Sequence, residues 1–248
     1  MLRRSTSLLD LLYLLLKVVP KKILVHATPL TDDREEWRAY WQLKGLPWRT
    51  EPEISLDRQE YLTHCLSIVP DIEKGIYPFR DIKLNRADVE WLLTTHENGR
   101  GPIDWNDVSQ RSRVGLDLRG ANLCNTDLTR LPLARLRGSL GSNEWAGATD
   151  EQRAKAAILM NGASMMVAEL DGAHLRFASL EDTDLRYVSL ERTHLRGASL
   201  KGADLRNSHM GATSLVDVVL LISAQVAKPR VLGNETSSQT SIQHNMQR

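Results

Sequence analysis

The chain of 248 residues has few aromatic side chains, and they are unevenly spread. Phe, Trp and Tyr together make up 5% of the sequence, and ten of the thirteen precede residue 114. Only Phe177 and Tyr187 fall between residues 158 and 222. Aromatic side chains usually supply much of a core's buried area, so a folded segment without them needs another way to fill its interior. We therefore expect this segment to have a narrow core of smaller residues.

Cysteine and net charge are also scarce. Cys65 and Cys124 are the only cysteines, too few for a disulfide framework or a cysteine-based zinc site. The 32 Lys and Arg residues nearly balance 31 Asp and Glu residues, so the chain has no overall basic field for direct nucleic-acid binding. With 42% hydrophobic and 25% charged residues, the composition is that of a globular protein of one or two domains.

A five-residue repeat dominates the second half of the chain. Every fifth residue, the central position, is Leu or Met thirteen times in succession: Met160, Met165, Leu170, Leu175, Leu180, Leu185, Leu190, Leu195, Leu200, Leu205, Met210, Leu215 and Leu220. Two residues before each stands a small or β-branched residue, such as Ala163 or Thr183. A period of five matches neither a helix nor a simple strand. The chain must therefore turn the same corner repeatedly, as in a solenoid.

The quintets A-E-L-D-G, A-H-L-R-F and T-D-L-R-Y in this run resemble the pentapeptide repeat family, without a gap over residues 158–222. The resemblance implies a right-handed quadrilateral β-helix with four quintets per coil. Residues twenty apart would then stack, about 4.8 Å from one another. The fold class predicted for the chain is α+β: this solenoid, an N-terminal α-helical region and a short helical insertion.

A shorter run precedes the main one, with central residues Leu118, Leu123, Leu128 and Leu133. D-L-R-G-A-N-L-C-N-T-D-L forms one further coil, in a different register from the later run, and A-R-L-R-G at 134–138 looks like a quintet displaced by two residues. Thr149 and Gln152 form a capping box, which predicts a short helix at 150–157. This helix lies within an insertion near 139–157. We expect Trp145 to pack this insertion against the coil.

The first 113 residues have the periodicity of helices instead. Cap residues and Gly positions predict helices at about 32–44 after Thr31, at 55–67 from Ser55, and from Asn85 to just before Asn98. We expect this N-terminal helical region, 1–113, to cover the open end of the first coil. The pentapeptide repeat solenoid then occupies 114–222, and the polar tail at 223–248 is expected to be disordered.

Two apolar segments have more than one interpretation. Residues 8–19 are too short and too charged for a transmembrane helix, and a buried or partner-facing helix is favoured over a membrane-surface anchor or an export signal. A cytoplasmic location follows. Residues 216–223 lose the polar positions of the repeat, so they form either a cap on the last coil or a homodimer interface.

Candidate chemical sites in the solenoid are weak. His174 and His194 would stack, but no third ligand continues their column, so no metal or other cofactor is predicted. The pairs Asp184 with Asp204 and Asp171 with Glu191 would lie on an open wall, which gives no pocket for acid–base catalysis. Trp37, Tyr40 and Trp41 are spaced as a helical core stripe. The chain is predicted not to be an enzyme.

The predicted function is that of a rigid scaffold for an unknown protein partner. The arginines stack in pairs, and residues 158–222 carry eight acidic and six basic side chains. Some pentapeptide repeat proteins mimic DNA and protect type II topoisomerases, but that alternative needs a sustained negative surface. A membrane-associated adaptor through residues 8–19 is the other alternative. The candidate partner surface comprises Arg176, Arg186, Arg196, Arg206, Val218, Leu220 and Ile222.

Overall fold

The computed structural model describes residues 28–219. The chain divides into two compact units between Pro52 and Glu53. The helices of residues 53–113 belong to the same unit as the repeats, so this division does not coincide with the boundary predicted at residue 113. The apolar segment 8–19, Leu220, Ile222 and the polar tail 223–248 lie outside the described residues.

The first unit contains helix α1, Arg34–Leu43. It begins two residues later than predicted because Asp33, not Thr31, is the N-cap and accepts a hydrogen bond from the Glu35 amide at 2.9 Å. In the predicted core stripe, Trp37 and Trp41 are buried, whereas Tyr40 is only partly buried.

The described part of the second unit contains four α-helices and one 3₁₀ helix. Helix α2 is Leu56–Leu66 and α3 is Arg86–Gly99, and they begin after the predicted caps Ser55 and Asn85. A 3₁₀ helix follows at Val108–Ser112. The insertion contains α4, Ser142–Gly147, which was not predicted, and α5, Asp150–Ala156, whose capping box between Thr149 and Gln152 is confirmed. Within residues 28–219, no helix combines the length and apolar character needed to cross a membrane.

The quintets form a coil whose turns stack every twenty residues, as predicted. Single parallel bridges join the residues that precede central positions: Ser179 to Ser199, Asp184 to Asp204, Glu169 to Ser189, and His174 to His194. Four such columns make four walls. Each bridge has two backbone hydrogen bonds, for example from the Leu180 amide to the Ser199 carbonyl at 2.8 Å and from the Ser199 amide to the Ala178 carbonyl at 3.0 Å.

The central leucines fill the interior of the coil. They are at most 5% exposed throughout: Leu118, Leu123, Leu128, Leu133, Leu170, Leu175, Leu180, Leu185, Leu190, Leu195, Leu200 and Leu205. The small residues two positions earlier, including Ala163 and Ala173, are equally buried. Each fully buried leucine contributes roughly 1.5–3 kcal/mol to the free energy of folding. Burial of these leucines therefore stabilises the coil without aromatic side chains.

The two leucine runs belong to one continuous coil, and the displaced quintet predicted at 134–138 is wrong. Leu136 occupies the small position and Gly138 the central position, in register with Leu133. The chain then leaves the coil and returns at Ile158, whose amide donates to the Gly138 carbonyl at 2.8 Å. Elsewhere this corner hydrogen bond joins residues three apart, as from Ala163 to Met160.

The length of the insertion explains the apparent change of register. Bridge partners across it are 37 residues apart, as from Asp127 to Ser164, whereas they are 20 apart in the later coils. The insertion therefore adds 17 residues, which is not a multiple of five. Successive coils therefore stay aligned in space, although the five-residue repeat changes register in the sequence.

One quintet before the predicted solenoid was missed. Lys83 bridges Asn122, and the Leu84 amide donates to the Asn122 carbonyl at 3.0 Å, so residues 80–84 lie on the first coil like another quintet. Phe79 and Leu84 occupy central positions and are fully buried. Helix α3 follows at once, and Arg86 donates to the Thr129 carbonyl of the coil at 3.0 Å. This end of the coil is covered, as we expected of the helical region.

Each corner of the coil is turned by the second residue after a central position. This residue has a left-handed backbone with φ near +60°, which Gly adopts readily and β-branched residues rarely do. Val167, with φ 63°, is the least favourable case, and Arg130 and Arg135 share a φ of 61°. The coil geometry therefore overrides local backbone preference at its corners.

We predict that Leu190→Ala lowers the free energy of unfolding by about 2–5 kcal/mol, because it removes a central side chain that is 1% exposed. Leu159→Ala is the matched control. Leu159 sits in a bridge position and is 38% exposed, so its truncation should cost less than about 1 kcal/mol. Chemical denaturation measures both, and equal losses would contradict the assignment of central and outward positions.

Candidate functional site

Each wall of the coil is named for two stacked residues. The histidine wall carries His174 and His194, the arginine wall Arg186 and Arg206, the acidic wall Asp171 and Glu191, and the serine wall Ser179 and Ser199. These walls hold nearly all the candidate residues that the sequence suggested.

The arginine wall is a ladder of ion pairs within the chain. Arg186 lies 2.7 Å from Asp184, and Arg206 lies 2.6 Å from Asp204. The hydrogen bond from Arg186 lowers the pKa of Asp184, and the same hydrogen bond raises the pKa of Arg186. Because each stacked carboxylate has its own guanidinium, this wall lacks the sustained negative surface that DNA mimicry needs.

The other two arginines of the candidate partner surface lie on the histidine wall. Arg196 is about half exposed and lies 3.3 Å from the exposed Asp217. Arg176 instead contacts the insertion: it donates to the Ser142 hydroxyl at 3.1 Å and to the Leu140 carbonyl at 3.4 Å. Among the described residues, no carboxylate pairs with Arg176.

His174 and His194 are brought together as predicted. Their rings meet edge to face, with centroids 5.2 Å apart. Burial, together with the nearby charges of His194 and Arg176, lowers the pKa of His174 to about 4. Its Nδ1 atom is buried and has no hydrogen-bond partner in the part of the chain that the structure describes. Between residues 28 and 219, no group of three or more His, Cys, Asp or Glu side chains could hold a metal ion.

Carboxylates on the acidic wall have structural partners. Asp171 is 3% exposed, and its Oδ1 accepts from the Ser189 hydroxyl at 2.6 Å and from the Glu191 amide at 2.8 Å. Burial raises the pKa of Asp171, and the charge of Glu191 adds to this effect. Burial also raises the pKa of Glu169, with a further contribution from Asp171. Asp171 therefore links two coils at the cost of a buried charge.

A buried arginine cluster was missed by sequence reasoning. Arg119 is 1% exposed, lies 2.6 Å from Asp117 and 3.1 Å from Glu144, and its guanidinium is 4.9 Å from the centre of the Tyr77 ring. Arg137 shares both carboxylates at 3.4 Å. No spacing in the sequence indicates this cluster, because Glu144 belongs to the insertion.

The C-terminal part of the candidate surface is the least buried part of the coil. Val218 is partly buried, whereas Val216 and Val219 are 50% and 48% exposed. The other two apolar candidates, Leu220 and Ile222, lie outside the described residues.

The walls, corners and twenty-residue turns define a repeat protein with a four-sided coil. Comparison with known families confirms the resemblance: residues 173–211 match the model for Pentapeptide repeats, in eight copies. Residues 173–211 are thus pentapeptide repeats.

Solved structures of similar repeat proteins match only part of the chain. A pentapeptide repeat protein of the Arabidopsis thaliana thylakoid lumen is 20% identical, with 43% of this chain and 69% of that chain covered and a TM-score of 0.14. Rfr23 from the cyanobacterium Cyanothece 51142 is 18% identical, with 40% and 80% covered and a TM-score of 0.17. HetL from Nostoc, described as involved in heterocyst differentiation regulation, is 22% identical, with 41% and 48% covered and a TM-score of 0.14. At these TM-scores the three structures support no conclusion about function, and no curated protein matches the chain.

We predict that Asp171→Asn raises the denaturation midpoint at pH 7. The pKa of Asp171 is raised by folding, so its protonated form stabilises the fold, and that contribution is lost as the pH rises through the raised pKa. The amide Oδ1 can still accept from the Ser189 hydroxyl and the Glu191 amide, and Asn161 Oδ1 accepts in the same way from the Glu181 amide at 3.1 Å.

Asp184→Asn is the matched variant of opposite sign. The pKa of Asp184 is lowered by folding, so its stabilisation is present above the ordinary pKa of 3.8 and is lost as the pH falls through the lowered value. This substitution should lower the midpoint at pH 7 and have a smaller effect in acid. Denaturation of both variants across pH measures the difference, and shifts of the same sign at pH 7 would contradict the assignment.

Proposed function

We propose that this protein is a non-enzymatic scaffold that binds another protein through the C-terminal end of its coil. The main supporting observation is the loss of burial in the last described quintets. Leu195 and Leu200 are each 1% exposed, but Met210 and Leu215, at the same repeat position, are only partly buried. Val216 and Val219 expose about half of their surface.

An exposed coil end favours association for two physical reasons. Its apolar side chains lose contact with water when they are covered, and its last backbone groups can pair with another segment. A repeat solenoid needs such an end covered, and a protein partner would supply the cover.

The arginines contribute the polar rim of the proposed surface. Arg196 and Asp217 flank Val216, because the Gly197 amide donates to the Val216 carbonyl from the coil below. Protein interfaces commonly combine an apolar centre with a polar rim of this kind. Arg176, Arg186 and Arg206 are already held within the chain, so we assign them a smaller share of the affinity.

Other features complete the proposal. Four bridge columns support a quadrilateral β-helix, and we infer its right-handed form from the family resemblance. The two cysteines are free thiols, which supports a cytoplasmic location. The partner itself is a protein of unknown identity, and a second copy of this chain is the simplest candidate because the coil end could pair with itself about a two-fold axis.

Asp substitutions at Val216 and Val219 test this surface. A charge at each site should weaken association by about tenfold or more, because it must be desolvated on binding. Light scattering of the purified full chain measures self-association, and affinity capture from the native cell measures other partners. We expect the wild-type chain to form a dimer or to capture a defined partner, and the double variant to lose it.

Val108→Asp is the control, since Val108 is 71% exposed on the 3₁₀ helix of the same unit. It should leave association unchanged. If the double variant keeps the same mass and the same captured proteins as the control, the proposed surface is wrong.

A further inference from the structure

A cavity opens between the first coil and the beginning of the insertion. Its volume is about 410 Å³, and its polar lining comes from Arg135, Arg137, Ser142, Asn143, Glu144 and His174. Cavities that hold small ligands occupy about 300–1,000 Å³, so this one is large enough for a small molecule. It lies at the opposite end of the repeats from Val216 and Val219.

Arg135 supplies an uncompensated positive charge to this cavity. Its Nε donates to the Arg113 carbonyl at 3.2 Å, which holds the side chain in place without neutralising it. Within residues 28–219, no carboxylate lies within ion-pair distance of Arg135. The guanidinium can therefore present its terminal N–H groups to a ligand.

Arg176 adds a second uncompensated charge beside the cavity. Its guanidinium donates to the hydroxyl of Ser142, a lining residue, and to the Leu140 carbonyl. Both acceptors are neutral. Burial lowers the pKa of Arg176, as expected for a guanidinium that lacks an anionic partner in the described chain.

The remaining charges of the region cancel. Arg119 and Arg137 share the carboxylates of Asp117 and Glu144, which makes two positive and two negative charges. Both oxygens of Glu144 are used, because Oε2 also accepts from the Gly141 amide at 2.7 Å. With Arg135 and Arg176 added, the region has a surplus of two positive charges.

His174 provides an unused polar atom in the same place. Its ring lines the cavity, and its buried Nδ1 has no protein partner among the described residues. A buried polar atom without a hydrogen bond costs free energy, and a bound ligand or water would recover it. The pKa of about 4 keeps this ring neutral at pH 7, so the surplus charge belongs to the arginines.

We propose that this cavity binds a small oxyanion, a phosphate or carboxylate group, between Arg135 and the His174 ring. Guanidinium groups form paired, charge-assisted hydrogen bonds with such groups. Partial burial strengthens the attraction relative to open water. The hydroxyl of Ser142 and the amide of Asn143 are the neutral groups available to complete the site.

Titration of the full chain with inorganic phosphate, and separately with acetate, tests the site. Calorimetry gives the affinity, and NMR shifts of the His174 ring report binding at the proposed place. We expect saturable binding of one of these anions. The anion with the higher affinity distinguishes a phosphate ligand from a carboxylate ligand.

Arg135→Gln and Arg130→Gln form the matched pair. Both arginines turn a corner of the coil with φ 61°, but only Arg135 lines the cavity. Arg135→Gln should weaken binding by about tenfold or more, and Arg130→Gln should leave it within about twofold. Asn143→Asp, at an exposed lining position, should weaken binding to a similar extent because it places a negative charge beside the anion.

The proposal is overturned if neither anion gives a saturable signal at millimolar concentration. It is equally overturned if Arg130→Gln weakens binding as much as Arg135→Gln, because that result would show a diffuse attraction to positive charge. Should Arg135→Gln fail to fold, Asn143→Asp decides the question: unchanged affinity in that variant contradicts the site.

Discussion

Backbone hydrogen bonds between successive coils constrain every other feature of the repeat region. The Leu175 amide donates to the His194 carbonyl and the His194 amide to the Ala173 carbonyl, each at 2.9 Å. This pattern places each side chain directly against its counterpart twenty residues later. Identical residues then stack upon each other, so any repeated charge faces a like charge. On the arginine wall this repulsion between like charges is offset, because Arg186 and Arg206 alternate with Asp184 and Asp204. On the acidic wall, burial raises the pKa of Asp171, and the stacked charge of Glu191 adds to this effect.

The parts of the fold that sequence reasoning predicted are those determined by neighbours in the sequence. The central leucines and the caps at Ser55, Asn85 and Thr149 follow from local spacing, and the resemblance to the pentapeptide repeat family implied the stacking of His174 on His194. Three features did not follow from it. Residues 79–84 have Phe79 at a central position where the later repeats have Leu or Met. After Leu84, the next central residue along the chain is Leu118. The register of the repeat across the insertion depends on where the chain rejoins the coil. The Arg119 cluster depends on Glu144, which reaches it only after the insertion has folded back.

The insertion depends on the coil for its own order. Its helices α4 and α5 have six and seven residues, too few to be stable alone in water. The coil holds them through Trp145, whose ring centre is 4.9 Å from that of Phe177, and through Glu144 and its arginines. In return the insertion forms one side of the basic cavity. The candidate sites thus differ in origin: the coil end belongs to the repeat, whereas the cavity exists only because the repeat is interrupted.

The corner hydrogen bond between Ile158 and Gly138 has a wider consequence. It closes the turn in the usual way although nineteen residues, 139–157, stand where two would suffice, and the coils on either side keep their alignment. A corner of this coil is therefore a place where the chain tolerates a change in length without loss of its architecture. The five-residue spacing constrains the walls of the coil but not the length of the chain at a corner. A lineage of such proteins could gain a new binding site by lengthening one corner, and an engineer could graft a guest peptide there while the leucine column continues undisturbed beneath it.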